Sequence, residues 1–287
     1  MYLFRPDPSS QKAGKSSVMM LIKGGFNLAF DCADPTPMIL AVHIRPEETS
    51  NLIEPEIFTL VPQIETSDYI DSFGNRCTKL VAPSGRLSIW GRFVMGHDGA
   101  PEQLPIHAFQ HAVQELPEET LMYLLGSRYC DTQKLSDLAW SHFGGCWQGW
   151  PLVQAILNYT HQRIQFGYQF ARNDRTAFEA HEERTGVCRD FAHLAITLFR
   201  CMNVPARYCT GYLGDIGIPP SDIPMDFASW FEAYIGGQWY AFDPRNNEPR
   251  IGRVLIARGR DAADVPISMT FGPNVLEGFR VWAEETT

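Results

Sequence analysis

The sequence has no CxxC pair, no cluster of Lys and Arg and no long apolar run, and each absence removes a class of protein. Its seven cysteines, at 32, 77, 130, 146, 188, 201 and 209, form an odd set scattered along 287 residues. A disulfide framework or a zinc site needs pairing or tight spacing, so free thiols in a reduced compartment are expected. The formal net charge is -9, and the Lys and Arg residues nowhere gather into the basic surface that phosphate neutralisation requires. No nucleic-acid partner is therefore expected. The apolar run from Val18 to Ile22 is broken by Lys23 and a pair of glycines. It is too short for the core of a signal peptide, and no later stretch is long enough to span a bilayer, so the expectation is a cytoplasmic chain with no membrane partner.

What is present is ordinary globular material, 45% hydrophobic and 20% charged, in a chain long enough for two domains or for one large elaborated domain. Residues 1–21 are polar and mixed and read as a flexible lead-in. From 22 to 97 the pattern is strand-like: Met38, Leu40, Val42 and Ile44 alternate, Gly74-Asn75 separates two β-prone runs, and Leu87, Ile89 and Phe93 share a face. This predicts an antiparallel β domain. Residues 98–149 read as a linker followed by helices, one opening at "LPEETLMYLL" and one over "DTQKLSDLAWSHFGG", and a further helix is predicted over 151–165. The remaining unit, 150–287, carries the chemistry.

The stretch "RTGVCRDFAH" opens the most legible helix. Phe191, Leu194, Ala195, Leu198, Phe199 and Met202 recur at helical spacing, while Arg189, Asp190, His193, Thr197 and Arg200 fill the other side. Cys188 then starts the helix, and Asn203-Val204-Pro205 ends it before a strand at "ARYCTGYL". A thiol in the first turn of a helix gains thiolate character from free N–H groups and the positive end of the dipole, and the same turn offers an N–H to an oxyanion. Position alone leaves Cys188 either a nucleophile or one more buried cysteine. His193 lies about 140° around the helix axis from Cys188 and is expected at the surface, as are Arg189 and Asp190, although beside a thiol those two charges would tune its pKa in opposite directions.

Downstream, "FASWFEAYIGGQWYAFDP" has two aromatic-rich runs around Gly236-Gly237, the signature of a hairpin. The register predicted is Ile235 opposite Gln238, Trp230 opposite Asp243 and Ala228 opposite Arg245, with Ser229 on the other face. Asp243 suits either a catalytic carboxylate or a cap on the turn, and Trp230 is expected to be core or pocket wall.

At these residues a family becomes visible. "TGVCRDFAHLAITLFRCMNVPARYCTGYL" followed by "ASWFEAYIGGQWYAFDP" resembles the transglutaminase-like superfamily, which includes transglutaminases, bacterial cysteine peptidases and peptide N-glycanases. The resemblance covers roughly residues 150–250, and the strand-rich segment upstream and "ARGRDAADV" near the end resemble what accompanies many bacterial members. It implies an α+β, transglutaminase-like (papain-like) catalytic domain, with the nucleophile at a helix N-terminus packed on an antiparallel sheet, joined to an N-terminal antiparallel β domain. It implies Cys188 as nucleophile and Asp243 as the triad carboxylate, acting on amide bonds of a protein or peptide substrate without cofactor or metal. Where the family has His-Ala-Trp, this chain has Ala228-Ser229-Trp230. The middle member of the triad is missing, and its neighbourhood is Ala228, Trp230, Arg245 and Asp190. The expected function is a cysteine-nucleophile hydrolase or acyltransferase; the alternative is a pseudoenzyme that keeps the cleft to bind peptides. "ARGRDAADV" itself is read as a solvated loop or helix start.

Overall fold

The computed structural model describes residues 19–221 and 223–286. Residues 1–18, most of the expected lead-in, lie outside them, and the last two residues of that lead-in already belong to a strand. Strands β1 (Met20–Cys32), β2 (Thr36–Leu40), β3 (Ile57–Val61), β4 (Thr66–Ile70), β5 (Arg76–Ala82) and β6 (Gly85–His97) form the N-terminal part. Alternation places Leu87, Ile89 and Phe93 on one buried face of β6, which pairs antiparallel with β1 from Met20–His97 to Cys32–Gly85.

Helices α1 (Glu118–Leu121), α2 (Thr132–Phe143) and α3 (Trp150–Arg163) follow. The predicted helix at "LPEETLMYLL" is thus short: α1 passes into a 3-10 turn at Met122–Leu124 and ends where Leu125 turns extended. A pair of two-residue strands, β7 (Gln165–Phe166) and β8 (Thr185–Gly186), brackets α4 (Ala177–Glu183). Then come α5 (Cys188–Cys201), β9 (Ala206–Tyr212), β10 (Ala228–Ile235), β11 (Gln238–Phe242), β12 (Val254–Gly259), β13 (Ser268–Thr270) and β14 (Asn274–Thr286).

The sheets run β14-β1-β6-β3, β13-β2-β5-β4 and β11-β10-β9-β12. The chain therefore returns at its end: β14 pairs along the whole of β1, and β13 pairs with β2. The last strands of 150–287 thus complete the N-terminal sheets. One hydrophobic cluster runs through both parts, with Phe26 and Phe93 of the N-terminal sheet joined to Phe227 and Tyr212 beyond it. Among the described residues, no helix is long and apolar enough to cross a membrane.

Helix α5 is the centre of this arrangement. It packs against α2, α3, α4, β9 and β10, so its polar side is as buried as its apolar one. Asp190, His193, Thr197 and Arg200 are all buried, and each makes at least one hydrogen bond within the protein. Thr197 donates to the His193 carbonyl at 2.7 Å, and Arg200 donates to the carbonyls of Ala206 and Leu125 at 2.9 Å. The surface placement expected for His193 and Asp190 is thereby corrected. "ARGRDAADV" is likewise not a solvated loop. Asp261 is buried and accepts from the Tyr129 N–H, and the Ala262 N–H donates to His193 Nε2 at 3.1 Å.

His193 lies between Tyr129 and Tyr208, with ring centroids 5.2 and 5.1 Å away. Burial first, then the positive charges of Arg189 and Arg200, hold its pKa well below the ordinary 6.5. The folded protein keeps it neutral while the unfolded chain takes up a proton below that pH. The contribution of this residue is complete above pH 6.5 and falls as the pH drops below it, by about 1.4 kcal/mol per unit. Urea unfolding followed from about pH 7.5 to about pH 5 should show this slope, and His193→Gln should flatten it. Parallel slopes in the parent and the variant would contradict the assignment.

Candidate active site

Cys188 is the first residue of a 14-residue helix, and the way that helix starts explains the motif around it. Asp190, in the first turn, folds its carboxylate back to accept from the Val187 N–H at 2.8 Å. The same oxygen accepts from Arg175 Nη1 at 3.0 Å. Both carboxylate and guanidinium are buried. Gly186 is required by this closeness: a Cβ on it would stand 2.7 Å from the Asp190 Oδ2. "TGVCRD" is thus a self-bracing helix start, in which Asp190 fixes the turn that carries Cys188 without itself meeting the cleft.

The partly exposed Cys188 opens on a cleft of about 730 Å³, lined among others by Tyr168, Asp226, Ala228, Arg245 and Asn246. Leu213 to Gly217 and residues Trp282 to Glu285 of β14 close its other sides, so the N-terminal sheet contributes to the site. Burial pushes the Cys188 thiol up. The hydroxyl and backbone N–H of Ser229 oppose this, Asp226 adds to it, and the Arg245 charge works against it. Ser229 Oγ also meets the Tyr208 hydroxyl at 2.6 Å, and burial drives the Tyr208 pKa up, so that phenol stays protonated.

The hairpin forms in the predicted register, with Ile235 opposite Gln238, but the ladder ends at Phe231–Phe242, short of the expected Trp230–Asp243 and Ala228–Arg245 pairs, and Gly236 and Gly237 hold φ of 61° and 87° in its turn. The consequence expected for Ser229 is corrected. Odd residues of β10 face α5, as the 5.0 Å contact of Phe231 with Phe199 shows, and this brings Ser229 to Cys188. Trp230 lies on the opposite face with Cys209 and Leu255, under the Arg253 guanidinium at 4.6 Å, as buried core. Ala228, at the start of the strand, lines the cleft beside Cys188.

Asp243 is buried behind the cleft and caps its own turn. Its Oδ1 accepts from the backbone N–H groups of Arg245 and Asn246 at 3.1 and 3.0 Å. Its Oδ2 accepts from Asn246 Nδ2 at 2.7 Å and Arg253 Nη2 at 3.4 Å. A carboxylate offers about four acceptor positions, and all are in use. What the carboxylate turns toward the cleft is the Asn246 carboxamide, a residue that sequence reading passed over although it follows the Asp-Pro signal by only two positions.

Among the described residues, no histidine lines the cleft. His181 is buried against Tyr159 and Arg163, at 3.3 and 3.0 Å, and His161 reaches the Pro244 carbonyl at 3.2 Å from the exposed side of α3. Among the described residues, no three His, Cys, Asp or Glu side chains are grouped to hold a metal ion.

The family model of the Transglutaminase-like superfamily matches residues 149–244. The crystal structure of "a Putative Cysteine Protease" from Cytophaga hutchinsonii aligns with a TM-score of 0.79 at 30% identity, over 94% of this chain and 91% of that one. Uncharacterized proteins of Mycobacterium leprae and Mycobacterium tuberculosis are 33% identical over 93 and 129 residues, 31% and 40% of this chain. The chain spans only 33% and 41% of the length of those two proteins. With the fold, the helix-borne thiol and a full-length structural relative in agreement, the chain belongs to the transglutaminase-like superfamily.

Proposed function

We propose that the protein is a cysteine-nucleophile acyl-transfer enzyme of the cysteine-peptidase kind, acting on amide bonds of a peptide or protein without the family's histidine. The observation that carries this is Cys188 in the first turn of α5, opening on a cleft large enough for a peptide segment. The Cys188 sulfur adds to the carbonyl carbon, and the free N–H groups of the first helical turn receive the oxyanion. The thiol's proton passes to the departing nitrogen, so that collapse breaks the C–N bond, releases the amine and leaves a thioester. Water then releases the acid, or a second amine takes the acyl group, and hydrolysis is the first choice. Asp243 with Asn246 shapes the wall beside the thiol rather than orienting an imidazole.

A second reading, a peptide-binding cleft without turnover, is favoured by two observations. Ala228 lines the cleft, and Asp243 has all its acceptor positions filled.

Alkylation by iodoacetamide, followed residue by residue with mass spectrometry, separates the two readings. Cys201, whose thiol is pushed up to about 11, provides a slow reference on the same helix. An active nucleophile makes Cys188 react faster than Cys201 near neutral pH. Removing the repulsive charge with Asp226→Asn should move the Cys188 rate profile to lower pH, and Ser229→Ala should move it to higher pH. A Cys188 no faster than Cys201 at neutral pH, and unmoved by either change, leaves the binding reading standing.

A further inference from the structure

Among the described residues two arginines line the cleft, Arg245 and Arg250, while others of the fold are held in ion pairs. Arg253 pairs with Glu102, Arg207 with Glu232, Arg175 with Glu183 and Arg260 with Asp264. Arg250 is buried and donates to the Gly214 carbonyl at 3.0 Å. Arg245 forms neither an ion pair nor a side-chain hydrogen bond among the described residues, although it is only partly exposed. Its guanidinium lies 3.8 Å from the centroid of the Phe166 ring. Stacking engages the flat face of a guanidinium and leaves its N–H edge available, so the orientation is fixed in advance while the donors stay open.

The position of this edge matters because Arg245 lines the same cleft as Cys188, and its charge acts on the thiol. The cleft is also divided by sign along the chain. Arg245, Asn246 and Arg250 come from the segment after β11, whereas Asp215, Asp226, Glu284 and Glu285 come from the stretch after β9 and from β14. An anionic group entering the cleft meets attraction on one stretch of wall and repulsion on the other, which fixes its direction.

We propose that Arg245 binds a carboxylate of the substrate next to the bond that Cys188 attacks, so that the preferred acyl donors are acidic peptides. The guanidinium receives the carboxylate through two parallel N–H bonds, the geometry that arginine offers and lysine does not. Two sources supply this chemistry, an acidic side chain or a free C-terminal carboxylate. The inference rests on the Cys188 reading for the bond attacked, but not for the binding itself.

The test is calorimetric binding to the Cys188→Ala chain, which needs no reactive thiol. Three peptides are compared: acetyl-alanyl-glutamyl-alanine amide, acetyl-alanyl-glutaminyl-alanine as the free acid, and the same glutaminyl peptide as the amide. The side-chain or the terminal carboxylate should improve affinity about tenfold or more over the neutral peptide, and whichever does so names the source. Arg245→Gln should abolish the difference, and Arg245→Lys should restore part of it. Equal affinity for all three peptides, or a preference that survives Arg245→Gln, overturns the proposal. A failed alkylation test would remove the nucleophile reading alone, and a carboxylate preference in this chain would still stand.

Discussion

Asp190→Ala should destabilise the protein by about 3 kcal/mol, the sum of a lost helix cap and a broken buried ion pair. Asp190 is 1% exposed and Arg175 is 4% exposed, so removing the carboxylate leaves the guanidinium partly uncompensated in the interior. Glu183 remains on Arg175 at 3.0 Å, which keeps the loss below that of a fully orphaned charge. The Val187 N–H loses its acceptor at the same time. Asp190→Asn retains an oxygen for Val187 and should lose about half as much, because only the charge facing Arg175 disappears. Urea unfolding with an unchanged m-value measures both. A loss under about 1 kcal/mol for the alanine variant would show that the motif around Cys188 is not braced through Asp190. Because this brace holds the first turn of α5, the alanine variant should also change the alkylation rate of Cys188 before it loses its fold.

The same residue shows where sequence reading works and where it stops. The α5 helix, the strand after it and the Gly236-Gly237 hairpin were legible because each is written in local periodicity and turn chemistry. Cys188 was expected at a helix start and stands there, and Ala228 stands where the resembling family has its histidine. The errors share a physical cause. An amphipathic pattern implies that one face meets water, but α5 is covered on all sides, and the polar residues Asp190, His193 and Arg200 became an internal bonding network. Ser229 was placed away from the site because alternation fixes only which residues share a face. Which face meets the helix is a tertiary fact, and it brought Ser229 to the sulfur. Strand β14 went unread because its partner, β1, lies at the other end of the chain. Asn246 carries no motif, and its role appears only when the acceptors of Asp243 are accounted for one by one.

That accounting decides how a repaired triad should behave. Ala228→His alone should raise amide or ester hydrolysis only slightly, because the new imidazole finds Asp243 Oδ2 already held by Asn246 at 2.7 Å and Arg253 at 3.4 Å. Without the carboxylate, nothing fixes the ring's tautomer or direction, and a general base must be positioned as well as present. Adding Asn246→Ala frees one acceptor on the side facing the cleft and makes room for the ring. The double variant should then exceed the parent by on the order of 10²–10⁴ in acylation rate, the usual contribution of a positioned base. Burst kinetics with an activated ester reports acylation directly, and the pH profile should acquire a new ascending limb near the histidine range. A further change, Asp243→Asn on the double variant, should remove most of the gain if the carboxylate is what orients the ring. Should the folded double variant acylate no faster than the parent, the site would lack more than its histidine, and the peptide-binding reading would take precedence. Should Ala228→His suffice by itself, the Asn246 carboxamide would have to yield Asp243 freely, and its contact would be incidental rather than the element that closes the carboxylate off from the thiol.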